Sequence, residues 1–200
     1  MEWSPDGTRL ASGSDEGSLY VWDASDGTLL QRLPGHHGMV TSVVWSPDGN
    51  RLASSGGSRD SGEVLIWDAR CGERLRTCAD APGCVLALDW SRRGDLLVSG
   101  SSDGMLRWWD AQSGECVRVY QGHLGAVRSL RISPDGRRLA SCGEDGTIKV
   151  WNLESAGLLQ TMRRDRPYER LNITGVKGLT GAQKATLRAL GAIEEVTLSL

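Results

Sequence analysis

Phenylalanine is absent from this chain of 200 residues, whereas tryptophan occurs 8 times and glycine 26 times. No apolar stretch reaches the about 18 residues that indicate a membrane span. The first residues, MEWSPDG, lack the basic start and apolar run of a signal peptide. The net charge of −2 gives neither a basic footprint for nucleic acid nor an acidic tail. We therefore expect neither nucleic acid nor membrane as a partner, and a turn-rich chain long enough for a real core.

Paired cysteine motifs are also missing. The five cysteines are an odd number, and no two stand as C-x-x-C, so neither a disulfide framework nor a zinc knuckle is indicated. We interpret them as buried thiols of a reducing compartment, and we expect a cytoplasmic location. They are Cys71, Cys78, Cys84, Cys116 and Cys142.

Two markers repeat along the chain in step. Trp-Asp or Trp-Asn recurs at intervals of 45, 42 and 42 residues, beginning at Trp22, Trp67, Trp109 and Trp151. Ser-Pro-Asp-Gly begins at Ser4, Ser46 and Ser133, and a degenerate copy begins at Ser91. Because the two series alternate in step along the chain, the whole unit repeats, and the three extra residues of the second unit fall within GGSRDSG.

Each unit reads as four short strands. In the second unit these are Val40 to Trp45, Arg51 to Ser54, Val64 to Trp67 and Glu73 to Thr77, separated by Asp-Gly and Gly/Ser turn signals. Four strands in about 42 residues is typical of one blade of a β-propeller, a fold of radially arranged four-stranded sheets.

The chain resembles the WD-repeat β-propeller family. The fullest copy is GHLGAVRSLRISPDGRRLASCGEDGTIKVWN, residues 122–152, and the resemblance covers about residues 1–162. It implies an all-β, partial propeller of about four blades in an open arc, and the residues that follow the repeats add a short C-terminal helical tail. The expected blades are residues 1–33 (incomplete), 35–78, 80–120 and 122–162, and the tail is 163–200.

The resemblance also implies a buried chain of hydrogen bonds in each blade, from a Trp indole through a Ser hydroxyl and a His to an Asp. The fourth unit has the full tetrad of His123, Ser141, Asp145 and Trp151. The other units have His36, Ser54 and Trp67; Ser99, Asp103 and Trp109; and Ser12 and Trp22. Asp60 would serve from a shifted place in the second unit, Ala81 stands where the third should have His, and Glu16 takes the Asp position in the first.

A catalytic alternative exists for the same residues, since His123, Asp145 and Ser141 superficially resemble a Ser-His-Asp triad. A triad needs an exposed nucleophile and an oxyanion site, and the recurrence of these residues with the blade period favours a structural role. Three histidines and scattered carboxylates do not suggest a metal site. We therefore predict no catalytic residue, cofactor or metal.

Residues that vary over this regular frame are the candidate partner contacts: His37, Arg59, Asp60, Trp108 and Leu124. Trp108 stands where the other units have Val21, Ile66 and Val150, so it either packs between blades or forms an exposed aromatic anchor. The GGSRDSG segment is either a tolerated loop or a specificity loop.

The two ends depart from the repeat. Trp3 aligns with Trp45 and Trp90, the last residues of a first strand, so the first blade lacks nearly all of that strand. We expect the chain to be the C-terminal part of a longer propeller, or the product of a late start codon, with upstream blades or a second copy completing the ring.

In the tail, Thr180 and Gln183 form a capping box before a helix near 181–190. The basic residues Arg163, Arg164, Arg166 and Arg170 either bind an acidic partner or form a solvated strand exit.

The leading functional hypothesis is a non-enzymatic scaffold for protein–protein interactions. The tail resembles the segment that follows WD repeats in large bacterial signalling proteins. This resemblance gives the alternative of a sensor or autoinhibitory module of a bacterial signalling NTPase whose catalytic domains lie upstream. No P-loop occurs in the chain itself.

Overall fold

The computed structural model describes residues 1–58, 61–163, 168 and 171–194, with 79–81 described in their backbone alone. Residues 1–162 form one compact unit. It contains four antiparallel sheets, each of four strands paired in sequence order. The sheets are blade one, with β1 (Glu2–Trp3), β2 (Arg9–Gly13), β3 (Ser18–Asp23) and β4 (Leu29–Pro34); blade two, with β5 (Met39–Trp45), β6 (Arg51–Gly57), β7 (Ser61–Asp68) and β8 (Arg74–Pro82); blade three, with β9 (Val85–Trp90), β10 (Leu96–Ser101), β11 (Met105–Asp110) and β12 (Cys116–Gln121); and blade four, with β13 (Val127–Ile132), β14 (Arg138–Gly143), β15 (Thr147–Asn152) and β16 (Leu158–Arg163).

The Ser-Pro-Asp-Gly segments form the turns between the first and second strands. In blade two the Ser46 hydroxyl donates to Asp48 at 2.6 Å, and Gly49 adopts φ +69°. The Ser46 hydrogen bond and the Asn50 contacts outweigh burial and lower the pKa of Asp48 to about 2. The carboxylate therefore stays ionised and closes the turn, which sets the register of the following strand pair.

Three apolar clusters join successive blades. Within each blade, alternate residues point to opposite faces. We call the face that packs on the next blade the forward face and the opposite one the backward face. Ala53, Val64 and Ile66 of blade two, for example, cluster with Trp90, Leu97 and Trp109 of blade three. Equivalent residues join blades one and two, and blades three and four.

The backward face of blade one and the forward face of blade four remain open. Trp3 is 60% exposed, whereas the equivalent Trp45 is 6% exposed. Glu2 on β1 and Arg131 on β13, the first strands of the first and last blades, approach to 3.9 Å. The expected partial propeller is thus confirmed as four blades that do not close into a barrel.

The three additional residues of the second unit mainly lengthen its strands. β6, β7 and β8 have 7, 8 and 9 residues, and Gly57 pairs with Gly62 at the end of the extended hairpin. β8 therefore continues to Pro82, beyond the residue 78 at which the sequence placed the blade boundary. Arg59 and Asp60, the candidate contacts at this turn, lie outside the described residues.

Residues 163–200 form a second compact unit. Helix α1 runs from Gly181 to Ala189, where the sequence predicts 181–190, and the Thr180–Gln183 capping box is present. Lys184 pairs with Glu194 at 2.6 Å. In the described parts of the chain, no helix has the length and apolar character required to cross a membrane.

All five cysteines are free thiols, and their burial differs from the expectation. Cys78 is buried, and desolvation raises the pKa of its thiol to about 12. Cys71 and Cys116 are exposed instead. The interpretation of all five as buried thiols was therefore wrong, because Cys71 falls in a turn and Cys116 on an outermost strand.

Candidate functional site

The fourth blade brings its four marker residues into one hydrogen-bonded chain. The Trp151 indole Nε1 donates to Ser141 Oγ at 3.0 Å, and Ser141 Oγ lies 2.8 Å from His123 Nε2. His123 Nδ1 lies 3.0 Å from Asp145 Oδ1. Trp151, Ser141 and His123 are buried, so each polar atom needs the partner that the chain provides.

Asp145 joins this buried chain to the backbone of the neighbouring loop. Its carboxylate accepts the Leu124 amide at 3.1 Å and the Thr147 hydroxyl at 2.7 Å. Desolvation opposes ionisation, but the hydrogen bonds from Thr147, His123 and Leu124 outweigh it and lower the pKa of Asp145. Gly143 makes room for the imidazole, since a Cβ there would lie 2.5 Å from His123 Cγ.

In blade two a carboxylate on the third strand, that of Glu63, lies beside the buried histidine. His36 Nε2 lies 2.6 Å from Ser54 Oγ, which accepts the Trp67 indole at 2.8 Å. Glu63 Oε1 lies 3.4 Å from His36 Nδ1. Asp60, the sequence candidate, lies outside the described residues. Glu63 could have been found by counting: it stands four residues before the marker Trp, like Thr147, which also contacts its histidine.

The buried imidazole of blade two leads to a pH-dependent stability. Desolvation lowers the pKa of His36, although Glu63 opposes the shift. Below about pH 6.5 the unfolded chain therefore binds a proton that folded His36 resists, so the free energy of unfolding falls as the pH drops from 6.5 towards the folded pKa. We expect His36→Gln to show a smaller loss of urea midpoint between pH 7.5 and 5.5 than the wild type.

The adjacent histidine supplies the control, because the His37 side chain is 91% exposed. His37→Gln should lose more midpoint than His36→Gln over the same pH interval, because it keeps the buried imidazole. Equal losses in the wild type and His36→Gln would contradict the assignment.

Blades one and three also have the indole–hydroxyl pair, and blade three has Ala81 at the histidine position. Trp22 donates to Ser12, and Trp109 to Ser99, each at 2.9 Å. In blade three, Arg107 donates to Asp103 at 2.6 Å. Burial works against the ionisation of Asp103, but the Arg107 and Ser101 hydrogen bonds outweigh it and lower its pKa. Arg107 therefore donates to the carboxylate in blade three, as the imidazole of His123 does in blade four.

Blade one has a comparable contact from its third strand to the residue at the Asp position. Tyr20 stands two residues before Trp22, as Arg107 does before Trp109, and its hydroxyl donates to Glu16. A second position changes in parallel: two residues after the tetrad Ser, the two blades with His have Gly56 and Gly143, whereas blade three, with Ala81 at the histidine position, has Ser101. The glycine leaves space for the imidazole, since a Cβ on Gly56 would lie 3.0 Å from His36 Nδ1.

The geometry at Ser141 does not suit nucleophilic catalysis. Its side chain is 1% exposed, and its oxygen contacts both Trp151 and His123. A serine nucleophile must reach substrate beside an oxyanion site. Within the described ranges, no group of three His, Cys, Asp or Glu side chains is arranged to hold a metal ion.

The structure distributes the candidate partner contacts unequally. Leu124 is 93% exposed, and the His37 side chain is 91% exposed. Trp108 is fully buried: its Nε1 donates to Leu153 O of blade four at 3.2 Å, and its ring meets Tyr120 edge-on at 5.8 Å. The exposed-anchor interpretation of Trp108 was wrong, because the forward face of blade three is covered by blade four.

Four repeated four-stranded blades with this indole–hydroxyl core define a repeat protein of the propeller type. The chain belongs to the family described as "WD domain, G-beta repeat", whose model matches residues 1–23, 27–68, 72–110 and 114–152. These matches cover more than half of the chain and confirm the resemblance seen in the sequence.

Curated relatives match over one repeat's length. The "U5 small nuclear ribonucleoprotein 40 kDa protein" of Homo sapiens is 46% identical over 41 residues, and the protein of that name from Mus musculus gives the same identity and length. Each match covers 20% of this chain and 12% of the relative.

Proposed function

We propose that this chain is a non-enzymatic scaffold that binds other proteins through one end of its blades. WD repeats generally mediate protein–protein interactions, and the internal use of the tetrad groups supports a structural role for them. One observation carries the proposal. In two blades the carboxylate beside the buried histidine accepts the backbone amide of the residue that follows that histidine, and the side chain of that residue is exposed.

The same device occurs in two blades. Asp145 accepts the amide of Leu124 at 3.1 Å, and Glu63 accepts the amide of His37 at 2.6 Å. Each exposed residue directly follows its buried histidine. In blade three the equivalent position is Pro82, which is also exposed. We call His37, Pro82 and Leu124 the loop surface. The His37 and Leu124 side chains are presented by backbone that the Glu63 and Asp145 carboxylates already hold, so little conformational entropy is lost when a partner binds there.

The alternative role as a sensor module of a larger signalling protein rests on the resemblance of the tail. It would use the same loop surface, with the partner supplied by a domain of the same polypeptide. The contacts within the blades support the scaffold role directly, whereas they do not bear on the sensor role.

Cross-linking in native extract tests the loop surface. Leu124→Glu places a charge on the exposed leucine without touching the buried chain. His37→Glu places a charge on the loop of blade two and also removes the 3.3 Å contact between His37 Nδ1 and Glu63. Arg137→Glu is the matched control, because Arg137 is exposed in the turn between β13 and β14, at the other end of the sheet. We expect the wild type and Arg137→Glu to cross-link to the same proteins, and Leu124→Glu and His37→Glu to lose them. Retention by all variants, or loss through Arg137→Glu alone, would contradict the proposal.

A further inference from the structure

The forward face of blade four is built like the covered forward faces of the other blades. Ile148 is 47% exposed, Ala140 is exposed and Val150 is half-buried. The equivalent residues of the three preceding blades are at most 1% exposed, because a following blade covers them. These are Leu19, Val64 and Leu106; Ala11, Ala53 and Val98; and Val21, Ile66 and Trp108.

The backward face of blade one has the complementary composition. Trp3, Leu10 and Trp22 occupy the positions that Trp45, Leu52 and Trp67 use in blade two, where all three are buried against blade one. In blade one these residues line an open groove of about 420 Å³. The chain therefore exposes both halves of an interface that it forms internally three times.

A polar contact fixes the register of two internal interfaces. From blade one, Arg9 donates to Ala69 O at 3.0 Å and to Gly49 O at 3.3 Å, with its guanidinium 4.5 Å from the Trp45 ring centroid. From blade two, Arg51 repeats this geometry, and the atoms that it contacts are Gly94 O at 2.6 Å, Ala111 O at 3.4 Å and the Trp90 ring at 4.9 Å.

The arginine and the tryptophan occur together or not at all. Between blades three and four, Leu96 stands in place of the arginine and Ile132 in place of the tryptophan. Blade four has the arginine again, as Arg138, which is exposed and makes no side-chain hydrogen bond within the described residues. Blade one has the matching acceptors Gly7 and Ala24 and the matching ring of Trp3.

We propose that the forward face of blade four docks on the backward face of blade one in a second copy of this chain, and that two copies pair reciprocally as an eight-blade ring. Arg138 then donates to Gly7 O and Ala24 O and stacks on Trp3. The Trp3 indole donates to Arg131 O, as Trp45 donates to Glu2 O at 3.2 Å and Trp90 to Val44 O at 3.3 Å inside the chain.

A second copy is the occupant because one chain presents both half-sites in the same register. An interface between two different patches is heterologous, and it closes a ring when the rotation permits. Two four-blade units give eight blades, within the range of known propellers. Pairing covers both open faces of each copy, which removes the apolar surface that would otherwise promote aggregation. The proposal is independent of the loop surface, which lies at the end of the blades and not on their faces.

The molar mass of the full chain tests the pairing. We expect light scattering in the micromolar range to give twice the 21.6 kDa of one chain. Arg138→Ala should weaken pairing at least about tenfold, since it removes a cation–π contact and two hydrogen bonds. Arg137→Ala is the matched control on the same hairpin and should pair like the wild type. A wild-type mass of one chain would overturn the proposal.

Two blocked variants test the head-to-tail arrangement. Ala140→Arg obstructs the forward face of blade four, and Trp3→Asp spoils the backward face of blade one. Each residue is exposed in the single chain, so circular dichroism should show folded protein. Each variant alone should stay single, whereas their 1:1 mixture should pair through the one intact interface. Pairing by either variant alone, or open-ended growth of the wild type, would overturn the closed reciprocal ring.

Discussion

Replacing Trp109 with alanine is expected to lower the free energy of unfolding by about 3–5 kcal/mol, the range for removal of a large aromatic side chain from a core. Trp109 is 2% exposed and belongs to the cluster that joins blades two and three. Its loss leaves a cavity between two blades and removes the donor to Ser99 Oγ. Urea unfolding followed by circular dichroism measures the change.

Trp109→Phe separates the cavity from the hydrogen bond. The smaller ring fills part of the space but cannot donate to Ser99, so we expect an intermediate loss. Leu124→Ala is the exposed control and should change the free energy of unfolding by less than about 0.5 kcal/mol. A loss for Trp109→Ala no larger than that of Leu124→Ala would show that this indole does not hold the blade.

Replacing Arg107 with methionine should destabilise the chain by about 3 kcal/mol, the lower end of the range for breaking a buried ion pair. The Arg107 and Asp103 side chains are 9% and 21% exposed. The lower end applies because Asp103 keeps some contact with water. Methionine retains much of the aliphatic volume, so the measured loss reports mainly the stranded carboxylate.

A double-mutant cycle isolates this pair from the rest of blade three. Asp103→Asn and Arg107→Met together should cost less than the sum of the single changes, by about 1 kcal/mol or more, because the charge that each leaves behind is then absent. Lys149→Met is the matched control in blade four. Lys149 stands at the position of Arg107 but donates to Gly122 O, so its replacement strands no carboxylate and should cost less than Arg107→Met. Additive losses for Asp103 and Arg107 would mean that the arginine does not substitute for the imidazole.

The sequence determines the blades because several local signals coincide in each repeat. Ser46 and Asp48 specify the turn, Trp67 marks the third strand, and alternation places residues such as Val64 and Leu65 on opposite faces. The fold class could therefore be predicted, and the family match confirms it. The strand ends were harder to predict from the sequence, because the lengthened β6–β7 hairpin depends on a pairing of Gly57 with Gly62 that no marker indicates.

The carboxylate beside His36 and the cation beside Asp103 could not be identified from the repeated markers alone. Glu63 and Arg107 lie on the third strand of their blades, and their roles follow from which strand face meets the buried centre. A motif search aligned on the Asp position passes over both residues. Counting back from the marker Trp along one face gives them, because alternation keeps residues at even separations on the same side.

Trp108 shows why the faces of a blade cannot be assigned from residue type alone. An aromatic residue among aliphatic equivalents suits an exposed anchor, yet Trp108 is fully buried. The same forward-face position is half-buried at Val150. Exposure at this position depends on whether a neighbouring blade follows, which is a property of the assembly and not of the individual repeat.

The tautomer of His123 tests most directly the claim that the tetrad is a structural chain running from the indole to the carboxylate. The order of donors requires Trp151 Nε1–H to Ser141, the Ser141 hydroxyl to His123 Nε2, and His123 Nδ1–H to Asp145. Long-range ¹H–¹⁵N NMR distinguishes the two neutral forms of the ring. We predict a single Nδ1–H tautomer whose proton exchanges slowly and is lost as a signal in Asp145→Ala. A ring protonated at Nε2, or one that samples both tautomers freely, would contradict the account.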